Sequence, residues 1–137
     1  HAMLSKFRPF ITRQWGEAAA NKRLLKDARL VRDFTHYALP PHTDMREKVL
    51  AFLFYLPRND RHAHLGTSAY VPNDPAFRCP GGPHHARENF TRVVTAPYLP
   101  NSLFGFIRTD NAFHGVEPVT DPDARRDLLL YNLYLVD

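Results

Sequence analysis

The sequence is most informative first in what it lacks. A single cysteine, Cys79, stands in 137 residues, so no internal disulfide can hold the fold. That suits a reducing compartment, and a cytoplasmic location is the expectation. No apolar run approaches the roughly 20 residues of a membrane-spanning helix, and no signal-peptide pattern opens the chain. Membrane insertion is therefore not expected. Repeats and low-complexity tracts are missing too. His1-Ala2-Met3 reads as a cloning remnant, leaving 4–137 as one domain on the rule of about 100–200 residues per domain.

What is present suffices for a core. Apolar residues make up 44% and aromatic residues 12% of the chain, which excludes a disordered chain. Charge is lopsided. Residues 1–32 carry eight Lys/Arg against two acidic residues, whereas the remainder carries ten against twelve. Such a segment could contact nucleic acid or an anionic partner, but a solvated helix face is the favoured reading. No nucleic-acid motif accompanies it, so no such partner is expected.

From Gln14 to Arg29 the Ala, Leu, Lys and Arg content predicts a helix. Strand signals follow over Arg29–Leu39, Lys48–Leu56, Thr67–Val71, Thr91–Thr95, Ser102–Arg108 and Asp127–Val136, punctuated by Pro, Gly, Asn and Asp. The run KVLAFLFYL suits a strand buried on both faces. Several short strands after one helix predict a mainly β domain, a sandwich or barrel. The irregular Pro72–Asn89 segment reads as a lid or binding loop.

Eight histidines invite a metal hypothesis. A His-x-Asp triplet arises by chance roughly 0.6 times in this composition, so His42-Thr43-Asp44 needs its context. It follows a strand and Pro40-Pro41, where positions i and i+2 of extended backbone project to one side. His114, in Phe113-His114-Gly115-Val116, is the candidate second imidazole. Two histidines and one carboxylate leave positions open on an ion, the facial triad of non-haem Fe(II) oxygenases. Arg125-Arg126 opens the last apolar strand, and a guanidinium there can clamp the carboxylate of an acidic cosubstrate. Tyr55 either offers its hydroxyl to that carboxylate or belongs to the core. His62, His64, His84 and His85 with Cys79 match no standard zinc spacing and read as surface or substrate-facing residues. His36 reads as structural, and Trp15 as a packing anchor.

Together these motifs carry a resemblance. From Arg29 to Asp137 the chain resembles the prolyl-hydroxylase-like branch of the 2-oxoglutarate- and Fe(II)-dependent dioxygenases. The matching segments are Pro41-His42-Thr43-Asp44, Phe54-Tyr55-Leu56-Pro57, Gly66-Thr67-Ser68-Ala69-Tyr70-Val71-Pro72, Thr95-Ala96-Pro97-Tyr98-Leu99-Pro100-Asn101, Phe113-His114-Gly115-Val116-Glu117-Pro118 and Arg125-Arg126. Their order carries the match, as does the seventy-residue interval from Asp44 to His114.

The resemblance implies a double-stranded β-helix, or jelly roll, with a short N-terminal helix. It implies Fe(II) on His42, Asp44 and His114, and 2-oxoglutarate and O2 as cosubstrates. Arg126 or Arg125, with Tyr55, would bind the distal carboxylate. Alternation favours Arg126, which shares a face with Leu128, Leu130 and Asn132, the last near the cavity. Arg32 falls where the branch has a cavity-lining residue. The implied reaction oxidises a small molecule or a protein side chain and releases succinate and CO2. The chain departs from the branch in having only residues 4–28 as helical support, as a trimmed or minimal form would. A cupin-like protein that binds metal without turnover is the alternative.

Overall fold

In a computed structural model, which describes residues 2–17, 19 and 22–137, two four-stranded antiparallel sheets face one another behind one N-terminal helix. The strands are β1 (Arg23–Phe34), β2 (Leu39–His42), β3 (Lys48–Tyr55), β4 (Ser68–Pro72), β5 (Phe90–Thr95), β6 (Leu103–Ile107), β7 (His114–Val116) and β8 (Arg125–Val136). One sheet runs β1-β8-β3-β6 and the other β2-β7-β4-β5. The expectation of a mainly β domain with one short helix holds.

The helix lies elsewhere than predicted. It spans Ala2–Trp15, so Ala2 and Met3, read as a remnant, are part of it. It stops at Gly16, whose positive φ of 82° is the left-handed cap conformation that glycine adopts freely. Residues 23–29, expected to be helical, form the first half of β1; positions 18, 20 and 21 lie outside the described residues. The cause is non-local. Every residue of β1 pairs in register with β8, from Arg23 opposite Val136 to Phe34 opposite Arg125. Twelve ladder pairs outweigh the helix propensity of Leu, Lys and Ala, a weak prior that tertiary pairing overrides.

Three clusters hold the layers together. Between the sheets, Tyr55, Leu65, Tyr98, Val116, Val119, Ala124 and Leu128 form the central core. Outside the β1-β8-β3-β6 sheet, Ile11 with Phe7 and Trp15 of the helix cover Val49, Leu50, Leu133 and Leu135. Trp15 is the anchor expected, and its indole N–H also donates to the Arg46 carbonyl at 2.7 Å. The first part of KVLAFLFYL has both faces covered, since Val49 and Leu50 meet the helix while Ala51 and Leu53 face the inner cavity. Phe54 and Leu56 at its end are exposed, so the run is not buried throughout. The third cluster packs Tyr70, Cys79, Phe90 and Phe113 with Phe77, and ties the Pro72–Asn89 segment to the β2-β7-β4-β5 sheet.

Candidate metal centre

Strand pairing builds the centre. β2 and β7 are antiparallel neighbours with His42 opposite His114, so the imidazoles belong to one cross-strand pair and their ring centroids lie 4.4 Å apart. Gly115 permits this approach, because a Cβ there would lie 2.4 Å from the Leu39 carbonyl oxygen. Asp44 follows His42 by two residues, and its Oδ2 stands 3.8 Å from His114 Nε2. The three potential ligand atoms lie within 4.8 Å of one another.

The protonation states suit a cation. His42 Nδ1 is 3.0 Å from the Pro40 carbonyl and His114 Nδ1 is 3.0 Å from the Ala112 carbonyl. A carbonyl only accepts, so each Nδ1 carries the proton and each Nε2 keeps its lone pair, the tautomer a metal needs. Burial, and then the charge of neighbouring His114, push the His42 pKa down to about 4. Burial lowers that of His114 as well. Both rings are neutral near pH 7. Asp44 Oδ1 pairs with Lys48 Nζ at 2.9 Å, while Oδ2 is buried without a hydrogen-bond partner. A buried carboxylate oxygen with nothing to accept from is costly unless a cation satisfies it.

The turn bearing Asp44 is held from below. Arg108, 1% exposed, donates from Nε to the Asp44 carbonyl at 3.1 Å and from Nη1 to Asp110 at 2.5 Å, and its Nη2 reaches the Pro80 carbonyl. The Pro72–Asn89 segment returns here. Thr43 Oγ1 donates to the Cys79 carbonyl at 3.0 Å, and the His85 N–H to the Pro41 carbonyl at 2.9 Å. The His84 ring lies 4.9 Å from that of His42. Cys79 joins no metal-ligating group among the described residues.

A cavity of about 130 Å³ extends from the triad, with Lys48, Asn132 and Arg126 among its walls. Arg126 is 2% exposed. It donates from Nε to the Leu65 carbonyl (2.7 Å), from Nη1 to Asp33 (2.6 Å) and from Nη2 to Thr67 Oγ1 (2.9 Å). Of its five N–H groups two remain. Burial raises the Asp33 pKa, against the opposing pull of Arg126.

Three expected residues lie elsewhere. Tyr55 is a core residue and not part of the cavity wall. Its ring lies under the Arg126 guanidinium at 5.7 Å, and its hydroxyl accepts the Thr67 N–H at 2.9 Å. Arg32 does not line the cavity either: it is exposed and paired with Asp127 at 2.6 and 2.9 Å. Asp33, one residue on, is the inward one, because alternation along β1 turns Arg32 out. Arg125 is exposed at the wall of a separate cavity, with Arg32, Arg58 and Arg61.

Lys48, Asp33, Thr67 and Arg108 were missed. Alternation from Arg32 could have found Asp33, and Lys48 lies only four residues from its partner Asp44; Thr67 and Arg108 are brought in by contacts remote in sequence. The basic N-terminal segment is partly neutralised: Lys22 meets Asp137 and Arg29 meets Asp27. No described helix is long and apolar enough to cross a membrane.

No family model matches the chain, and no curated protein does. Among solved structures, a chain described under "Bacillus endospore appendages form a novel family of disulfide-linked pili" is similar over 85% of this chain and 91% of its own. The identity is 13% and the TM-score 0.38, a level that carries no argument about this chain.

Proposed function

We propose that this chain is an Fe(II)- and 2-oxoglutarate-dependent dioxygenase that oxidises a small molecule or a peptide side chain. The observation that carries the reading is the triad itself. Two imidazoles present bare Nε2 atoms beside a carboxylate oxygen without a partner, at one end of a cavity that also holds a buried arginine. Two histidines and one carboxylate with open positions are the ligand set of non-haem Fe(II) oxygenases. Asp44 and the two Nε2 atoms would hold the ion. Bound iron with 2-oxoglutarate and O2 supplies an oxidation coupled to decarboxylation of the cosubstrate to succinate.

The chain's own residues do the rest. Backbone carbonyls fix the ligand tautomers, and Arg108 fixes the Asp44 turn. The two free N–H groups of Arg126 are the donors for a distal carboxylate, with Tyr55 and Thr67 orienting the guanidinium from behind. The jelly-roll assignment belongs to the same reading. Two facing sheets ordered 1-8-3-6 and 2-7-4-5 support it, since eight antiparallel strands in two packed Greek keys define that architecture.

One observation favours the alternative, a cupin-like metal-binding protein without turnover: Asp33 already neutralises Arg126. Incubation with Fe(II), 2-oxoglutarate and O2, with succinate measured, separates the two. The dioxygenase reading expects succinate from the unchanged chain and none from Asp44→Ala. Equal succinate from both would remove the triad from the reaction.

A further inference from the structure

We infer that the chain carries a second, separate site for a divalent transition-metal ion, formed by His62, His64 and Asp121. His62 and His64 sit in the turn after β3, and Asp121 in the loop before β8. Their ligand atoms lie within 4.8 Å of one another. His64 Nε2 is 2.9 Å from Asp121 Oδ2, and His62 Nδ1 is 3.7 Å from Asp121 Oδ1. Ligands about 2.0–2.2 Å from a zinc-type ion in a tetrahedral shell are separated by roughly 3.4 Å, and these distances bracket that value.

A hydrogen bond between His64 and Asp121 would by itself be an ordinary surface pair. The feature it leaves unexplained is His62 Nδ1, a buried ring nitrogen with no hydrogen-bond partner that faces the other oxygen of the same carboxylate. A cation between the three groups satisfies that nitrogen and takes one oxygen of the carboxylate. Both arms are already anchored. The turn is closed by the Ala63 N–H on the Asp60 carbonyl and the Leu65 N–H on the His62 carbonyl, while Thr35 Oγ1 and the Ala124 N–H bind the Asp121 carbonyl. Little ordering is left for binding to supply.

Charge nearby is mixed. His62 also lines the cavity of about 330 Å³ whose wall holds Arg58, Arg61 and Arg125, which oppose a dication, and Asp123, which offsets them in part. Arg32 and Asp127 in the same wall pair with each other. Three protein ligands leave a fourth position for water or an anion, so the site resembles an open zinc centre more than a closed structural one. It would also staple the turn that leads into Leu65 and Thr67, which with Asp33 hold Arg126. The inference does not rest on the dioxygenase reading.

Zn2+ titrated into the full chain against a chromophoric chelator tests it, with folding of each variant checked by circular dichroism. The His64 side chain is 58% exposed, so His64→Ala should leave the fold unchanged. The expected result is that His64→Ala binds one equivalent fewer than the unchanged chain, and that Asp121→Asn does the same. His114→Ala should remove a different equivalent, so that His64→Ala with His114→Ala binds none. Stoichiometry unchanged in His64→Ala, or all Zn2+ lost on His114→Ala alone, would overturn the second site. Loss of the only equivalent on His64→Ala would uphold it while contradicting metal binding at the triad.

Discussion

Arg125 and Arg126 are consecutive residues with the same side chain, yet they meet opposite surroundings. Arg126 is buried in the inner cavity, held by Asp33, Thr67 and the Leu65 carbonyl, and shares that space with His42, Asp44 and His114. Arg125 is exposed in the outer cavity beside Arg32, Arg58 and Arg61. One step of strand alternation separates them. A guanidinium taken out of water must be paired, and its removal strands its partner; one left in water is screened and replaceable.

The largest effects belong to the inner face. His42→Ala, Asp44→Ala and His114→Ala should each abolish Fe(II) binding at the triad at micromolar metal, since each leaves two ligands. Anaerobic calorimetry in the His64→Ala background, which removes the second site, reads the loss. Undiminished affinity in any of the three would remove that residue from the centre. Next comes Arg126→Gln, expected to destabilise the fold by about 3–5 kcal/mol in urea unfolding, because Asp33 is left buried and unpaired. Adding Asp33→Asn should recover part of that loss. In the same variant 2-oxoglutarate binding should weaken by roughly 2–5 kcal/mol, as for a partner removed from a buried charge pair. Unaltered binding would return Arg126 to a purely structural role.

The metal-free protein should lose stability as pH falls. The folded-state pKa of His42 is about 4, below the ordinary value near 6.5, and that of His114 is lowered too. Between those values the unfolded chain binds more protons, so stability declines as pH drops from about 6.5 towards 4 and is unaffected by these groups well above 6.5. Urea unfolding of His42→Gln across that range should show a shallower decline. An equal slope would mean that His42 is not held neutral.

Smaller effects sharpen the contrast. Tyr55→Phe removes the acceptor of the buried Thr67 N–H and should cost about 1–3 kcal/mol of stability while leaving metal affinity unchanged. Arg125→Gln and Arg32→Gln should leave thermal stability, metal affinity and 2-oxoglutarate affinity alike unchanged. A loss of 2-oxoglutarate binding in Arg125→Gln would move the clamp to the outer face.

Much of this was legible in the chain, and the failures have separate physical causes. The apolar run of β3 and the alternation that turns Arg126 inward are local patterns, and local patterns fix which face a side chain takes. Pro40-Pro41, expected to break a strand before His42, lie with it inside β2. Leu24 to Ala28 misled because their composition favours a helix, while the ladder to β8 that makes them a strand lies over a hundred residues away. Arg32 misled by a single register step. The partners of Arg126 lie 93, 61 and 59 residues from it, and no sequence window joins them. Tyr55 was ambiguous for a physical reason: a phenol at the end of a buried strand can serve a ligand or a backbone amide, and here the Thr67 N–H takes it.

The most direct test of the central claim is anaerobic. Fe(II)-loaded protein titrated with 2-oxoglutarate should develop a visible metal-to-ligand charge-transfer band that saturates at one equivalent of cosubstrate. The band should be lost in Asp44→Ala and weakened in Arg126→Gln, with Arg125→Gln indistinguishable from the unchanged chain. A protein that binds Fe(II) but shows no band at any 2-oxoglutarate concentration would contradict the dioxygenase reading.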